Sequence, residues 1–157
     1  MLVECFITCH ISCYHHILHC SYFNFTITNY KGPTGSCLLD TDKLLICDTL
    51  NNKIKCVEID GTRSAYSRSF IGSGKRGKKL LEENNVDTGD KKKKEKEKEN
   101  KEELLKTISL DSPQGVAYDR SKKTIYIADT GNDRILRVNR ETYEISEIKL
   151  DFTNIRK

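Results

Sequence analysis

The 157-residue sequence has no tryptophan, two prolines and one methionine, and its four histidines, His10, His15, His16 and His19, all precede residue 20. Beyond that point there is no imidazole to act as a base or a metal ligand, which argues against metal-dependent catalysis of the lyase type within the repeats. No Cys-x-x-Cys occurs, which removes the thioredoxin type of redox pair. The seven cysteines (Cys5, Cys9, Cys13, Cys20, Cys37, Cys47 and Cys56) are odd in number and stop at residue 56, so they do not form a pure disulfide framework. Cys37, Cys47 and Cys56 sit in apolar strand-like runs and read as small hydrophobes in a reducing, cytoplasmic compartment.

Long apolar runs are also missing. Residues 1–21 lean apolar but carry Glu4 and the four histidines, with no Lys or Arg at the start. A signal peptide needs a basic beginning and a clean apolar stretch, and a membrane span needs about 20 apolar residues. Neither pattern is met, so no membrane is expected, and the sequon Asn24-Phe25-Thr26 would matter only on a secretory route. Cys9, His10, Cys13, His16, His19 and Cys20 form a dense thiolate and imidazole group, but they lack the paired spacing of structural zinc sites. No metal and no cofactor is expected, and residues 1–30 read as a Cys/His-rich leader.

Charge of one sign is scarce too. The net charge is +4, but residues 91–103 hold seven Lys and five Glu, which leaves 20 cations against 18 anions, or +2, elsewhere. That balance does not point to nucleic acid. Lys and Glu form helices well, yet this tract has no apolar face before Leu104 and Leu105, so residues 75–109 are expected to be a charged, solvated insertion, helical or disordered.

What the chain does have is an internal repeat. Residues 33–57 (PTGSCLLDTDKLLICDTLNNKIKCV) match residues 113–138 (PQGVAYDRSKKTIYIADTGNDRILRV) with a single one-residue gap. Pro33 and Pro113, Gly35 and Gly115, Asp48 and Asp129, Thr49 and Thr130, and Asn51 and Asn132 align. Each copy predicts three strands, at Gly35–Asp40, Lys43–Cys47 and Lys53–Ile59 in the first, and Gly115–Asp119, Thr124–Ala128 and Arg134–Asn139 in the second. A fourth strand is expected at Arg68–Ile71 and at Glu144–Leu150. Asp-Thr-x-Asn lies between the second and third strands. There Asp and Asn side chains bond nearby backbone N–H groups, and Gly131 or an Asn tolerates positive φ. Four antiparallel strands with this Gly and Asp signature make one propeller blade.

SPQGVAYD followed by IYIADTGNDRILRV resembles the NHL repeat, and GPTG with LLICDTLNNKI is a more distant version, with Ser36-Cys37, Ile46-Cys47 and Lys53 departing from the pattern. Gly72-Ser73-Gly74-Lys75-Arg76-Gly77 and the insertion after it are also similar to the early blades of thioredoxin-fused NHL proteins, whose redox half is absent. The resemblance implies an all-β fold, a partial β-propeller of about two four-stranded antiparallel blades. The blades fall at residues 31–74 and 110–150, with a tail at 151–157. The family implies surfaces for protein or RNA partners, while a minority of members are lyases.

Two blades cannot close a ring, since propellers run from about four to eight blades. The expectation is therefore part of a larger propeller, completed by a longer chain or by other chains, that binds a protein partner and is not an enzyme. The alternatives are an enzyme module without its catalytic part and an RNA-binding face. For the latter the repeats offer Lys53, Lys55, Arg134 and Arg137 as interaction residues, but few exposed aromatics for base stacking. Asp48 and Asp129 could be imagined as catalytic carboxylates, but a reaction needs unlike groups in one place, and recurrence in each copy marks a turn. GSGKRG has the letters of a phosphate loop without the helix that must follow, so it reads as a connection between blades.

Overall fold

The computed structural model describes residues 11–14, 17–20, 25–27, 29–59, 65–80 and 101–149. Among the described residues eleven strands form three antiparallel sheets. The first is short: β1 (Ile11–Tyr14), β2 (Ile17–Cys20) and β3 (Phe25–Ile27) pair in chain order. The second holds β4 (Pro33–Leu38), β5 (Lys43–Asp48), β6 (Lys53–Ile59) and β7 (Ala65–Ile71), and β3 passes close to β7. The third holds β8 (Gly115–Asp119), β9 (Thr124–Asp129), β10 (Arg134–Asn139) and β11 (Ile145–Ile148). Both large sheets are simple meanders, each strand beside its neighbour in sequence. They are the two blades.

The repeat holds at the level of backbone conformation. Asp48 leads into a 3-10 turn at Thr49–Asn51 and Asp129 into one at Thr130–Asn132. Each turn ends on a left-handed residue, Asn52 (φ 52°) and Asp133 (φ 51°). The positive φ thus falls one place after the asparagine, and Gly131 is not where it is needed. Gly131 is required for another reason: a Cβ there would lie 2.4 Å from Asp111 Cγ and 2.8 Å from the Asp111 carbonyl oxygen.

Alternation in the strands sorts side chains onto two faces of each blade. In the first blade Leu44, Ile46 and Val57 lie on one face in a small cluster with Tyr30. Leu45, Cys47, Ile54 and Cys56 lie on the other, within the main core. That core also takes Val116, Ile125, Ile127, Leu136 and Val138 from one face of the second blade. The blades therefore stack front to back, the back of the first on the front of the second. Each fully buried Leu or Ile contributes about 1.5–3 kcal/mol. The opposite face of the second blade carries Tyr126, Ala128 and Ile135, half-buried, with Ala117 and Arg137 exposed. These five belong to neither cluster.

The inner strands β4 and β8 meet at the seam. A Cβ on Gly35 would lie 2.4 Å from the Gln114 carbonyl oxygen, so this close approach needs glycine. Beside it the Thr34 hydroxyl donates to the Gln114 carbonyl (2.9 Å) and the Thr49 hydroxyl to the Pro113 carbonyl (2.8 Å).

The insertion differs from its expected boundaries. Residues 72–80 and 105–111 run alongside each other and close onto the blades, with Gly72 N–H donating to the Leu105 carbonyl, Ser73 N–H to Ile108 and Ser109 N–H to Lys79. Leu105, Ile108 and Leu110 are buried in the main core. Residues 101–105 are helical, and Glu102 bonds both Arg68 (2.6 Å) and the Tyr143 hydroxyl (3.0 Å). Lys/Glu composition concealed these anchors, because two or three apolar residues at the end of a charged tract show no periodicity. The middle of the insertion, most of the leader and the tail at 151–157 lie outside the described residues, and of the leader's thiolate and imidazole group so do Cys9, His10 and His16, while Cys13, His19 and Cys20 fall on β1 and β2.

Candidate functional site

The Asp-Thr-x-Asn motif builds the same frame in both blades. In the second, Asp129 Oδ1 accepts the Asp111 N–H (2.7 Å), while Oδ2 accepts Asn132 Nδ2 (2.8 Å) and Arg134 Nε (2.7 Å). In the first, Asp48 Oδ1 accepts the Lys31 N–H (2.7 Å), and Oδ2 accepts Asn51 Nδ2 (2.9 Å) and pairs with Lys55 Nζ (2.8 Å). The backbone N–H comes from the chain entering the blade, not from within the hairpin as the turn motif alone would suggest. Its carbonyl completes the clamp: Lys31 accepts the Leu50 N–H and Asp111 the Gly131 N–H. The aspartates thus tie the second-to-third-strand turn to the segment that leads into the first strand.

The closing cations correct the expected basic face. Arg134 is buried, its guanidinium donating to Asp129 and to the carbonyls of Lys78 (3.0 Å) and Ser109 (3.1 Å). Lys55 is 14% exposed and donates to the Asn29 carbonyl (2.7 Å) while lying 4.2 Å from the centre of the Tyr30 ring. Lys53 is half-buried and reaches Ser69 Oγ at 3.4 Å. Of the four cations only Arg137 stands exposed, donating to Ser146 Oγ (2.7 Å). An aspartate with no water around it draws the nearest cation inward, and that demand is what reading Lys and Arg as surface charge overlooked.

Thr49 and Thr130 do not serve equivalent ends. Thr49 is buried and bridges to the next blade through Pro113; Thr130 is exposed and reaches only its own Ala128 carbonyl, at 3.4 Å. Of the signature residues, Pro33 and Gly35 lie in β4 and Gly115 in β8, and Pro113, just before β8, meets Thr49 at the seam between the blades.

The glycines of GSGKRG form a strap. Gly72 (φ 100°) and Gly74 (φ 82°) turn the chain around the first blade's Asp-Thr-x-Asn hairpin, and Gly77 leads into the second frame, where its carbonyl accepts Asn132 Nδ2 (2.7 Å). Arg76 donates to Asp111 (2.7 Å), whose carboxyl it holds below the usual range. Beneath the strap an open cleft of about 430 Å³ is lined by Asp48, Asn51, Lys53, Lys55, Ser73 and Lys75.

The three described thiols are free. Burial pushes Cys37 and Cys47 up to about 12 and Cys56 to about 11, so all three stay protonated at physiological pH. Among the described residues no three His, Cys, Asp or Glu side chains converge as metal ligands, and no helix is long and apolar enough to cross a membrane.

No curated protein matches the chain. Residues 110–137, which run from the end of the insertion through the Asp129–Arg134 frame, match the family model for the NHL repeat. That match falls on the four-stranded second blade, whose frame the first blade repeats, so residues 110–137 carry an NHL repeat.

Proposed function

We propose that this chain is an interaction scaffold, part of a larger propeller whose further blades come from a longer chain or from other chains, and that it binds a protein partner. The observation that carries the reading is the difference between Thr49 and Thr130. The first blade presents its back face, Gly35 and Thr49 to the second; Leu45, Cys47, Ile54, Cys56 and Thr49 are buried there, and Gly35 lies against the Gln114 carbonyl. The second blade presents the same set, with Tyr126, Ala128 and Ile135 on the back face beside Gly115 and an exposed Thr130. An interface that repeats front to back is heterologous, and it offers the same patch again at its end.

A binding role without catalysis fits the frames, whose carboxylates are each occupied by a backbone N–H, an amide and a cation. Lys55 and Arg134 are likewise engaged inside the fold, which removes two of the four cations on which an RNA-binding face would rest. The free buried thiols support a reducing, cytoplasmic setting.

Sedimentation of the full chain over a range of concentrations tests the open face. Association that grows with concentration and is abolished by Ile135→Asp or Tyr126→Asp is expected. A chain that stays monomeric, or whose association ignores both substitutions, defeats the reading.

A further inference from the structure

We propose that the cleft between the Thr49–Asn51 turn and the strap after β7 is a docking site for an acidic peptide segment of a partner protein. The segment's backbone carbonyls lie on Asn51 and Lys53, and its carboxylate sits beside Lys75. The proposal rests on the scaffold reading and assigns one of its contact surfaces.

The second blade shows what such a frame accepts. There Asn132 Nδ2 and Arg134 Nη1 donate to the consecutive carbonyls of Gly77 and Lys78. The loop supplying them exists because the connection from β7 to the second frame is long, from Ile71 to Asp111. The connection into the first frame is short: β3 ends at Ile27, and Lys31 is already on Asp48. Residues 29–31 reproduce the Ser109–Asp111 half of the contact, since Lys55 takes the Asn29 carbonyl as Arg134 takes that of Ser109. Among the described residues, no counterpart of Gly77 and Lys78 stands before the first blade. Asn51, whose amide nitrogen bonds Asp48, and Lys53, in the place of Arg134, instead line an open cleft.

The lining then sets the chemistry of the occupant. Lys55 neutralises Asp48, and Lys53 and Lys75, the remaining charges of the cleft, have no carboxylate partner among the described residues. Gly74 has no Cβ, which would otherwise lie 2.7 Å from Lys53 Cε, so the lysine stem passes beneath the strap, with its ammonium 3.4 Å from Ser69 Oγ. Two donors in the places of the pair that receives consecutive carbonyls in the second blade, with a second ammonium on exposed Lys75, fit an extended peptide that carries Asp or Glu.

The test uses the full chain with amide resonances assigned. The probes are a capped peptide of alternating Gly and Glu, its Gly and Gln counterpart, and an oligouridylate. Saturable binding of the Glu peptide is expected, with resonance shifts confined to residues 51–55 and 73–75. Lys53→Gln and Lys75→Gln should each weaken it several-fold, and Lys75→Glu should abolish it. Lys75 is exposed, so its variants report binding without loss of fold, which circular dichroism checks. Equal binding of the Gln peptide, shifts elsewhere, or displacement by oligouridylate at lower concentration overturns the proposal. A rise in affinity on deleting residues 81–100 also overturns it, by assigning the cleft to the chain's own Glu95, Glu97 and Glu99. Ile135→Asp should leave peptide binding intact, so failure of the open-face reading and failure of the cleft are told apart.

Discussion

In the second blade, Asp129 is held by Arg134, the residue directly across the ladder; in the first, Asp48 lies across from Lys53 but is held by Lys55, two positions further along the same strand. The two cations occupy the same face of their strands. An arginine has five donors in a fixed fork, so one residue serves the aspartate and two carbonyls at once. A lysine has a single ammonium, and the first blade divides the work: Lys55 takes the aspartate and the carbonyl of Asn29, and Lys53 is left at the cleft. What recurs is a buried carboxylate that must be compensated. Which residue compensates it is free to change.

The sharpest way to break that comparison is to remove the cations one at a time. Arg134→Met should cost about 3–5 kcal/mol, because it strands a buried aspartate. Lys55→Met should do the same in the first blade, less severely, as its ammonium is partly solvated. Lys53→Met should stay within about 1 kcal/mol. Denaturant unfolding of the three variants gives the order, and a Lys53 variant weaker than the Lys55 variant would show that the roles have been exchanged wrongly.

The insertion offers the next largest contrast. Replacing residues 81–100 with a short Gly-Ser linker should change stability by less than about 1 kcal/mol, since loop length enters only logarithmically. Removing 78–106 should cost about 2–4 kcal/mol, because Leu105 leaves the core and the Glu102 carboxylate leaves Arg68 and Tyr143. Equal losses would mean that the described anchors contribute nothing.

A smaller effect separates the two turns. Gly131 in the second blade corresponds to Leu50 in the first, which is 59% exposed. Gly131→Leu should cost about 1–3 kcal/mol by pushing Asp111 out of its clamp, whereas Leu50→Gly should stay within about 0.5 kcal/mol. Thermal unfolding of the pair decides whether close approach, and not backbone conformation, selects the glycine.

These contrasts show how much of the molecule the sequence made legible. The eight blade strands follow from hydrophobic alternation between turn residues, and the gapped match fixed which positions correspond. The frame was visible only in part. Asp48, Asn51, Asp129 and Asn132 stand out because they recur, but their partners Lys31 and Asp111 lie upstream of the recognisable match, where the side chains differ and only the backbone acts. Arg134 was misplaced on the surface for a related reason: its exposure depends on a carboxylate across the ladder and on two carbonyls more than 20 residues away in sequence. The anchors Leu105, Ile108 and Leu110 are legible in hindsight as an apolar triplet spaced 105, 108, 110 before SPQG.

The finest comparison concerns the thiols, all three on the back face of the first blade. Because burial raises Cys37, Cys47 and Cys56 above the ordinary thiol value, the stability they lend is complete below about pH 8.5. It is lost as pH rises toward about 11 for Cys56 and about 12 for Cys37 and Cys47. Alkylation at pH 8 followed by peptide mapping should therefore leave Cys47 and Cys56 unmodified until the protein unfolds, with the half-buried Cys37 reacting before them. Labelling of Cys47 at the rate of a free thiol would mean that the second blade does not stay docked.

The meander topology also sets the order in which the molecule assembles. Every ladder within a blade joins strands adjacent in sequence, so each sheet can form from local encounters on a fast timescale. Bringing the sheets together requires closing the chain between Ile71 and Gly115, and the hydroxyl bonds from Thr34 and Thr49 cannot form until that closure is made. Refolding should thus show two kinetic phases, with amide protection inside each sheet gained first and side-chain fixation at the seam gained last.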